Sequence, residues 1–400
     1  MARISRRTDT ESSGQQYYDY NLLAVMILLT GFGLVMLYSV SSYTAQLKWG
    51  NDMYFFSRQA VISAAGLIIA IGISHIDYHL LWKLGAIIYI TSFVLIALVV
   101  TPLGKEYNHA RRWLEIGPFS FQPSEFAKIA VIICVPILII KIGRNFTGWK
   151  APLVPFGAGF LLALETYVLT SNLSTAIIIL AITCIMIFIA HPKTAPFVIA
   201  LLVLAAVVFA VVMIIKHNMT GSSRFRLRRI MVWLDPETYS KDGGWQIMQA
   251  LYALGSGGLF GKGLGNSAQK LGFVPEAEND MILSIICEEL GVFGGILVII
   301  LFGYMLYRLF FIAQNAKDLF GSLLTAGVFA HIMLQVVLNI SVVLNLIPTT
   351  GITLPFISYG GTSIVFLMAE MALALSVARQ IPFMEEETDL WGDVRDNYEY

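Results

Sequence analysis

Charge and cysteine are what this 400-residue chain has little of. Only 13% of its residues are charged, and 26 Lys and Arg balance 26 Asp and Glu to a formal net charge of zero. There is no basic excess to draw it to nucleic acid, so no nucleic-acid partner is expected. Its three cysteines, Cys134, Cys184 and Cys287, each lie inside an apolar run. That leaves neither a disulfide framework nor metal-ligand spacing. The glycine-rich stretch Leu254–Gly265 (LGSGGLFGKGLG) lacks the Gly-Lys-Ser/Thr ending and the preceding strand of a nucleotide-phosphate loop. It reads instead as a tight re-entrant or interfacial turn in which backbone approaches backbone. The first apolar segment is too long for a signal core and has no small-residue cleavage site, so it reads as a retained span. No internal repeat is evident, which weighs against an inverted-repeat transporter.

What the chain does have is apolar length. It is 57% hydrophobic, with mean hydropathy +0.74. Runs of about 20 apolar residues, enough to cross a bilayer, recur along it. The expectation is an all-α membrane protein with ten transmembrane helices, at 21–43, 57–74, 80–102, 122–141, 151–169, 172–191, 194–216, 279–308, 318–344 and 354–380. Residues 1–20 form a tail with Arg3, Arg6 and Arg7, 21–382 the membrane domain, and 383–400 an acidic tail. Short loops on the tail side carry Lys141, Arg144, Lys150, Lys193, Arg308 and Lys317. Such loops stay in the cytoplasm, which puts both termini there.

Two loops on the other side are cationic as well. One, at 103–121, holds Lys105, Arg111 and Arg112; the other, the large segment 217–278, holds Arg224, Arg226, Arg228, Arg229, Lys241, Lys262 and Lys270. They suit an anionic substrate or its phosphates, and they suit lipid headgroups equally. Phe225–Leu234 mixes arginine with apolar residues and reads as an amphipathic interfacial helix.

The chain's main oddity is Leu271–Gly291 (LGFVPEAENDMILSIICEELG). Asp280 ends a polar loop where an apolar run begins, so it sits where water meets hydrocarbon. Desolvation there can tune a carboxylate into a general base. The alternative is an ordinary acid complementing a helix start. Glu288 and Glu289 lie inside the apolar run, where acids are costly and face a protein interior or a wet cavity. On a continuous helix, Ser284, Cys287 and Gly291 would share the face of Asp280, with Glu289 turned away. Elsewhere, Glu125 and Lys128 in QPSEFAK (Gln122–Lys128) are three apart, spaced for an interfacial ion pair or for a polar cavity. The loop Asn345–Ser363, which contains Ser358, has two prolines, three glycines and many hydroxyls, and must pack on protein or line water. Gln335 and Asn339 share a helix face and are spaced to bond across helices.

Together these stretches resemble the SEDS family of shape, elongation, division and sporulation proteins, the peptidoglycan glycosyltransferases typified by RodA, FtsW and SpoVE. The resemblance is carried by Ala110–Gly117, Gln122–Lys128, Asn172–Ala176, Trp233–Pro236, Gly257–Gly265, Pro275–Asp280, Glu288–Gly291 and Pro348–Ser363. Pro348–Gly351 and Asn279–Asp280 look closer to the FtsW and SpoVE branch. The family pattern differs where Glu278, Asn279, Met281, Ser171 and His109 stand. The resemblance implies the ten-helix SEDS fold, with its large extracellular loop between the seventh and eighth helices. It implies polymerisation of lipid II on the outer face of the cell membrane, for septum synthesis in division or sporulation. Asp280 is implied as catalytic acid, and Glu125 and Lys128 as cavity residues. Arg111 falls in a loop tied to activation or substrate contact, and Arg112, Arg229, Glu278 and Ser358 are further candidates around the cavity. Glu278 would raise the pKa of Asp280 by repulsion. Implied too are a class B penicillin-binding protein and other division proteins as partners, and a divalent cation (Mg or Mn), with Asp280 and Glu125 as candidate ligands. A lipid II flippase and a non-catalytic scaffold recruiting a transpeptidase are the rival readings.

Overall fold

The structure is a computed structural model and describes residues 18–107, 110–116, 119–143, 146–148, 150–218 and 225–381. The expected tails (Arg3, Arg6 and Arg7; the acidic stretch from Glu385), together with His109, Gly117, Arg144, Arg224 and the Arg226 side chain, lie outside the described residues.

Each expected span has a helix. These are α1 Tyr20–Trp49, α2 Tyr54–Ser74, α3 Leu80–Leu98, α4 Pro123–Ile142, α5 Leu153–Thr170, α6 Leu173–Ala190 and α7 Ala195–Asn218. Then come two shorter helices, α8 Phe225–Leu234 and α9 Gly244–Gly257, followed by α10 Ile282–Asn315, α11 Leu319–Val343 and α12 Ser363–Arg379. Eight of them, α1 to α3, α5 to α7, α10 and α11, are long and apolar enough to cross a membrane. The count of ten needs two more: α4, which carries Glu125, Lys128 and Lys141, and α12, which is 17 residues long. Both are buried largely inside protein. By contrast, α7 buries none of residues 195–214.

The fold is helical as expected, and the loop at 103–121 adds one small antiparallel sheet in the order β1 Gly104–Tyr107, β2 Ala110–Ile116, β3 Phe119–Phe121. Lys105 faces Trp113 and Glu106 faces Arg111, which sets opposite charges across one rung of the ladder. The last helix begins at Ser363 rather than 354, because Gly351 and Phe356 have positive φ and hold 351–362 out of a helix. As expected, that irregular stretch packs on protein, with Leu354, Phe356, Ile357 and Ser358 buried.

At one end of the bundle, His79 in the α2–α3 turn lies 2.7 Å from Asp77 and 2.9 Å from Asp318, and Gln380 donates to Asp77 at 2.7 Å. This cluster ties α3, α11 and α12 together. Buried Arg308 reaches back to Asp19 at 2.7 Å.

At the other end the glycine-rich stretch lies backbone to backbone against α10. Gly291 breaks that helix, with φ 70 and ψ −167. The amides of Lys262 and Gly263 donate to the carbonyls of Glu288 and Glu289, and those of Val292 and Phe293 to Gly258 and Leu259. A Cβ on Gly257 would stand 2.0 Å from the Cys287 carbonyl oxygen. Gly257→Ala should therefore lower the melting temperature, by the equivalent of about 1–3 kcal/mol or more for overpacking against rigid backbone. Gly255→Ala, with nothing within 4 Å, should raise it slightly through helix propensity. Thermal unfolding of the two purified variants checks the contrast.

Candidate functional site

Asp280 lies in a turn two residues before α10, not on the helix face expected for it. Met281 caps α10 without a side-chain bond, so the plain capping role for Asp280 is not the one observed. Its carbonyl oxygen instead accepts Asn339 Nδ2 at 2.8 Å, and the same amide bonds Ile352 O at 2.8 Å. Gln335 reaches Thr353 O. The two amides of α11 thus hold loop carbonyls rather than groups on another helix. One side chain, Asn339, fixes both the Asp280 turn and the 351–362 loop.

The Asp280 carboxylate is 9% exposed. Burial pushes its pKa up to about 7, and neighbouring Glu276 adds to the rise. Arg229 opposes it, and Glu278 contributes less than Glu276. Glu276, which sequence reasoning passed over, is therefore the principal repelling charge. Glu278 is itself buried and raised, by desolvation first, with Lys48 opposing. Its carbonyl accepts the Tyr359 amide.

Ionisation of Asp280 costs the folded state. An unfolded Asp titrates near 3.9, so the stability linked to this group is fully present below about pH 4. It is lost as pH rises through about 7. Between about pH 5 and 8 the melting temperature should fall less in Asp280→Asn than in the wild type, which a pH series of thermal unfolding measures.

Beside this carboxylate lies a cavity of about 340 Å³, lined by Arg228, Arg229, Val232, Lys241, Gly243, Gln246 and Thr349. Gln246, at the start of α9, joins the two: its Nε2 lies 3.5 Å from Asp280 Oδ1 and donates to Pro275 O at 3.2 Å. The amphipathic segment expected at Phe225–Leu234 is α8, with Met231 and Val232 buried. It is clipped to the 345–350 loop: Arg229 donates to Thr349 O at 3.2 Å and Trp233 Nε1 to Asn345 O at 3.0 Å. Gln246 and Thr349 were not legible as site residues, being uncharged and about a hundred positions apart.

The loop cations divide three ways. Lys105 pairs with Glu115, Arg111 with Glu106 at 3.6 Å, Lys262 with Glu288 at 2.6 Å and Lys270 with Glu289 at 2.9 Å. Arg228, Arg229 and Lys241 line the cavity. Arg112 donates to Thr170 O and Ser171 O, stapling β2 to the α5–α6 turn. Burial, then nearby Arg229, push its pKa down, so the two cationic loops converge.

Glu125 and Lys128 do pair, at 2.9 Å and almost fully buried, inside the first turns of α4. Ser358 Oγ accepts the Leu354 amide at 2.9 Å and so serves its own turn. Among the described residues no group of three or more His, Cys, Asp or Glu is disposed to hold a metal ion.

A carboxylate poised near neutrality beside a cationic cavity suits removal of a proton from a hydroxyl while an anionic group is held close by. The profile of the FtsW/RodA/SpoVE cell cycle proteins matches residues 19–381. The chain is 36% identical over 363 residues to stage V sporulation protein E of Bacillus subtilis, covering 90% of this chain and 97% of that one. It is likewise 36% identical over 366 residues to a probable peptidoglycan glycosyltransferase FtsW of Trichlorobacter lovleyi, covering 90% and 93%. Among solved structures it resembles a chain of a peptidoglycan synthase complex that coordinates polymerization and crosslinking. There the TM-score is 0.73 at 26% identity, over 90% of this chain and 98% of that one. The rod shape determining protein RodA of Thermus thermophilus superposes with TM-score 0.64 at 26% identity, covering 91% and 97%.

Proposed function

Because the chain belongs to the FtsW/RodA/SpoVE family of multi-pass membrane proteins, we propose that it is a peptidoglycan glycosyltransferase that polymerises lipid II, with Asp280 as general base. The observation that carries the reading is the buried Asp280 carboxylate, raised to about 7, with Gln246 linking it to a cavity bearing three cationic side chains.

In the proposed step the Asp280 carboxylate takes the proton of the acceptor sugar's 4-hydroxyl. That oxygen attacks the donor's anomeric carbon and inverts it. The bond to the undecaprenyl pyrophosphate breaks, and its electrons leave with the phosphate oxygen. Arg229, with Arg228 and Lys241 on the same cavity wall, balances the charge that develops there. A pKa near the working pH suits a base that must be deprotonated yet still hold a proton. A covalent glycosyl-enzyme would need a second carboxylate at about 5–5.5 Å, for which Glu125 and Glu278 are the candidates.

The site lies at the end of the bundle where α1, α3, α5, α7 and α11 finish. The loops at the opposite end carry Lys141, Lys150, Lys193 and Lys317, which supports a cytoplasmic assignment for that end and an outward-facing site. A transpeptidase of the class B penicillin-binding type is the proposed partner, and the division septum the proposed place of work.

Purified protein in liposomes with labelled lipid II tests the reading. Glycan polymer from the wild type and none from Asp280→Asn supports it. Lipid II crossing the bilayer without polymer would favour a flippase. Polymer or crosslinking that appears only from an added transpeptidase, equally with both forms, would leave a scaffold.

A further inference from the structure

Glu288 and Glu289 are adjacent in α10 and both fully buried, yet they bind opposite flanks of one loop. Glu288 receives Lys262 Nζ at 2.6 Å, the Ser267 hydroxyl, Ser256 Oγ at 3.3 Å and the amides of Ala268 and Gln269 at 3.3 Å. Glu289 receives Lys270 Nζ at 2.9 Å, and Ser39 Oγ of α1 lies 2.8 Å from both its oxygens. Lys270 also donates to Gly265 O at 2.7 Å and to Ser39 Oγ at 3.2 Å. The loop 262–270 is therefore wrapped around the helix and anchored on both sides. Lys270–Glu289 is buried at both ends and Lys262–Glu288 at the carboxylate end, and such pairs contribute little net stability, since apolar replacements of equal volume are often neutral or better.

Their position is what distinguishes them. Nine residues separate Lys270 from Asp280, and this strap starts at the clamp and ends at the base. The other strap is α9: its Gly257 end rests on the Cys287 carbonyl beside the clamp, and its Gln246 end meets Asp280. Both chain paths into the site are tied at their far ends to the same step of α10, α9 through Ser256 on Glu288 and the Asp280 strap through Lys270 on Glu289.

We propose that Lys262–Glu288 and Lys270–Glu289 form a positioning clamp that sets the Asp280 strap and the start of α9 relative to each other, and so governs turnover without touching substrate. The proposal rests on Asp280 acting as the base. A displacement of about 1 Å at a reacting group is enough to lower a rate by about 10²-fold.

The test uses the full chain in liposomes with lipid II and two charge-neutral double variants, Lys270→Met with Glu289→Gln and Lys262→Met with Glu288→Gln. Neither leaves an unpaired buried charge. The expected result is protein that melts near the wild-type temperature and retains lipid II binding but polymerises about 10²-fold more slowly. The acid limb of its rate profile moves to lower pH as Asp280 gains water, and Lys270→Arg keeps most of the rate. Folded double variants with unchanged rate and unchanged pH profile would overturn the clamp. Loss of folded protein in both would assign the pairs to stability alone and overturn it equally. A wild type that makes no polymer would count against the glycosyltransferase reading instead.

Discussion

Asp280→Asn should lower lipid II polymerisation by about 10²–10⁴-fold, the usual worth of a positioned general base. The amide nearly preserves the shape and burial of the carboxylate, and the turn itself is held by main chain: Asn339 bonds the Asp280 carbonyl, not its side chain. Folding should therefore survive while proton removal is lost. A KM for lipid II close to wild type would place the loss in the chemical step, because a group acting only in the transition state lowers kcat and kcat/KM together. The wild-type rate should rise with pH through about 7, where the buried carboxylate ionises. In Asp280→Asn that limb should vanish. Rates at a series of pH values, on the same liposomes, decide between this and a variant that has merely unfolded.

Lys128→Met should cost about 3–5 kcal/mol of stability, because it strands the Glu125 carboxylate inside α4 without its 2.9 Å partner. Lys128 is 2% exposed and Glu125 9%, so water cannot take the partner's place. Changing both residues, Glu125→Gln with Lys128→Met, removes the uncompensated charge and should restore most of the melting temperature. The double variant then separates two roles that the single variant confounds. If it folds and still polymerises lipid II at the wild-type rate, the pair is structural. If it folds and loses rate, the pair belongs to the substrate cavity, as the resemblance implies.

Much of the architecture was legible because a bilayer leaves few options. Each apolar run must close its own backbone hydrogen bonds, so length and hydropathy alone located every long helix. The prolines and glycines of 345–363 announced an irregular loop. Glu288 and Glu289, as intramembrane acids, announced a buried polar site, and the i, i+3 spacing of Glu125 and Lys128 announced their pairing. The prominence of Asp280 was legible too, as a carboxylate at the boundary between polar loop and apolar run. Hydropathy did not register the small sheet in the 103–121 loop, whose strands are short and charged.

Tertiary structure alone decided how the charges were shared out. Composition shows seven cations in the large loop but not that Glu288 and Glu289 take up Lys262 and Lys270 while Arg228, Arg229 and Lys241 line a cavity. Nor does it show that Glu276 outweighs Glu278 as the neighbour raising Asp280, or that Gln246 and Thr349 belong to the site. The physical reason is range. Helix formation in a membrane is set by local hydropathy along one segment. Electrostatic partnership is fixed by which segments pack together, and here that was settled at the break at Gly291, where the backbone of α10 bonds the glycine-rich loop.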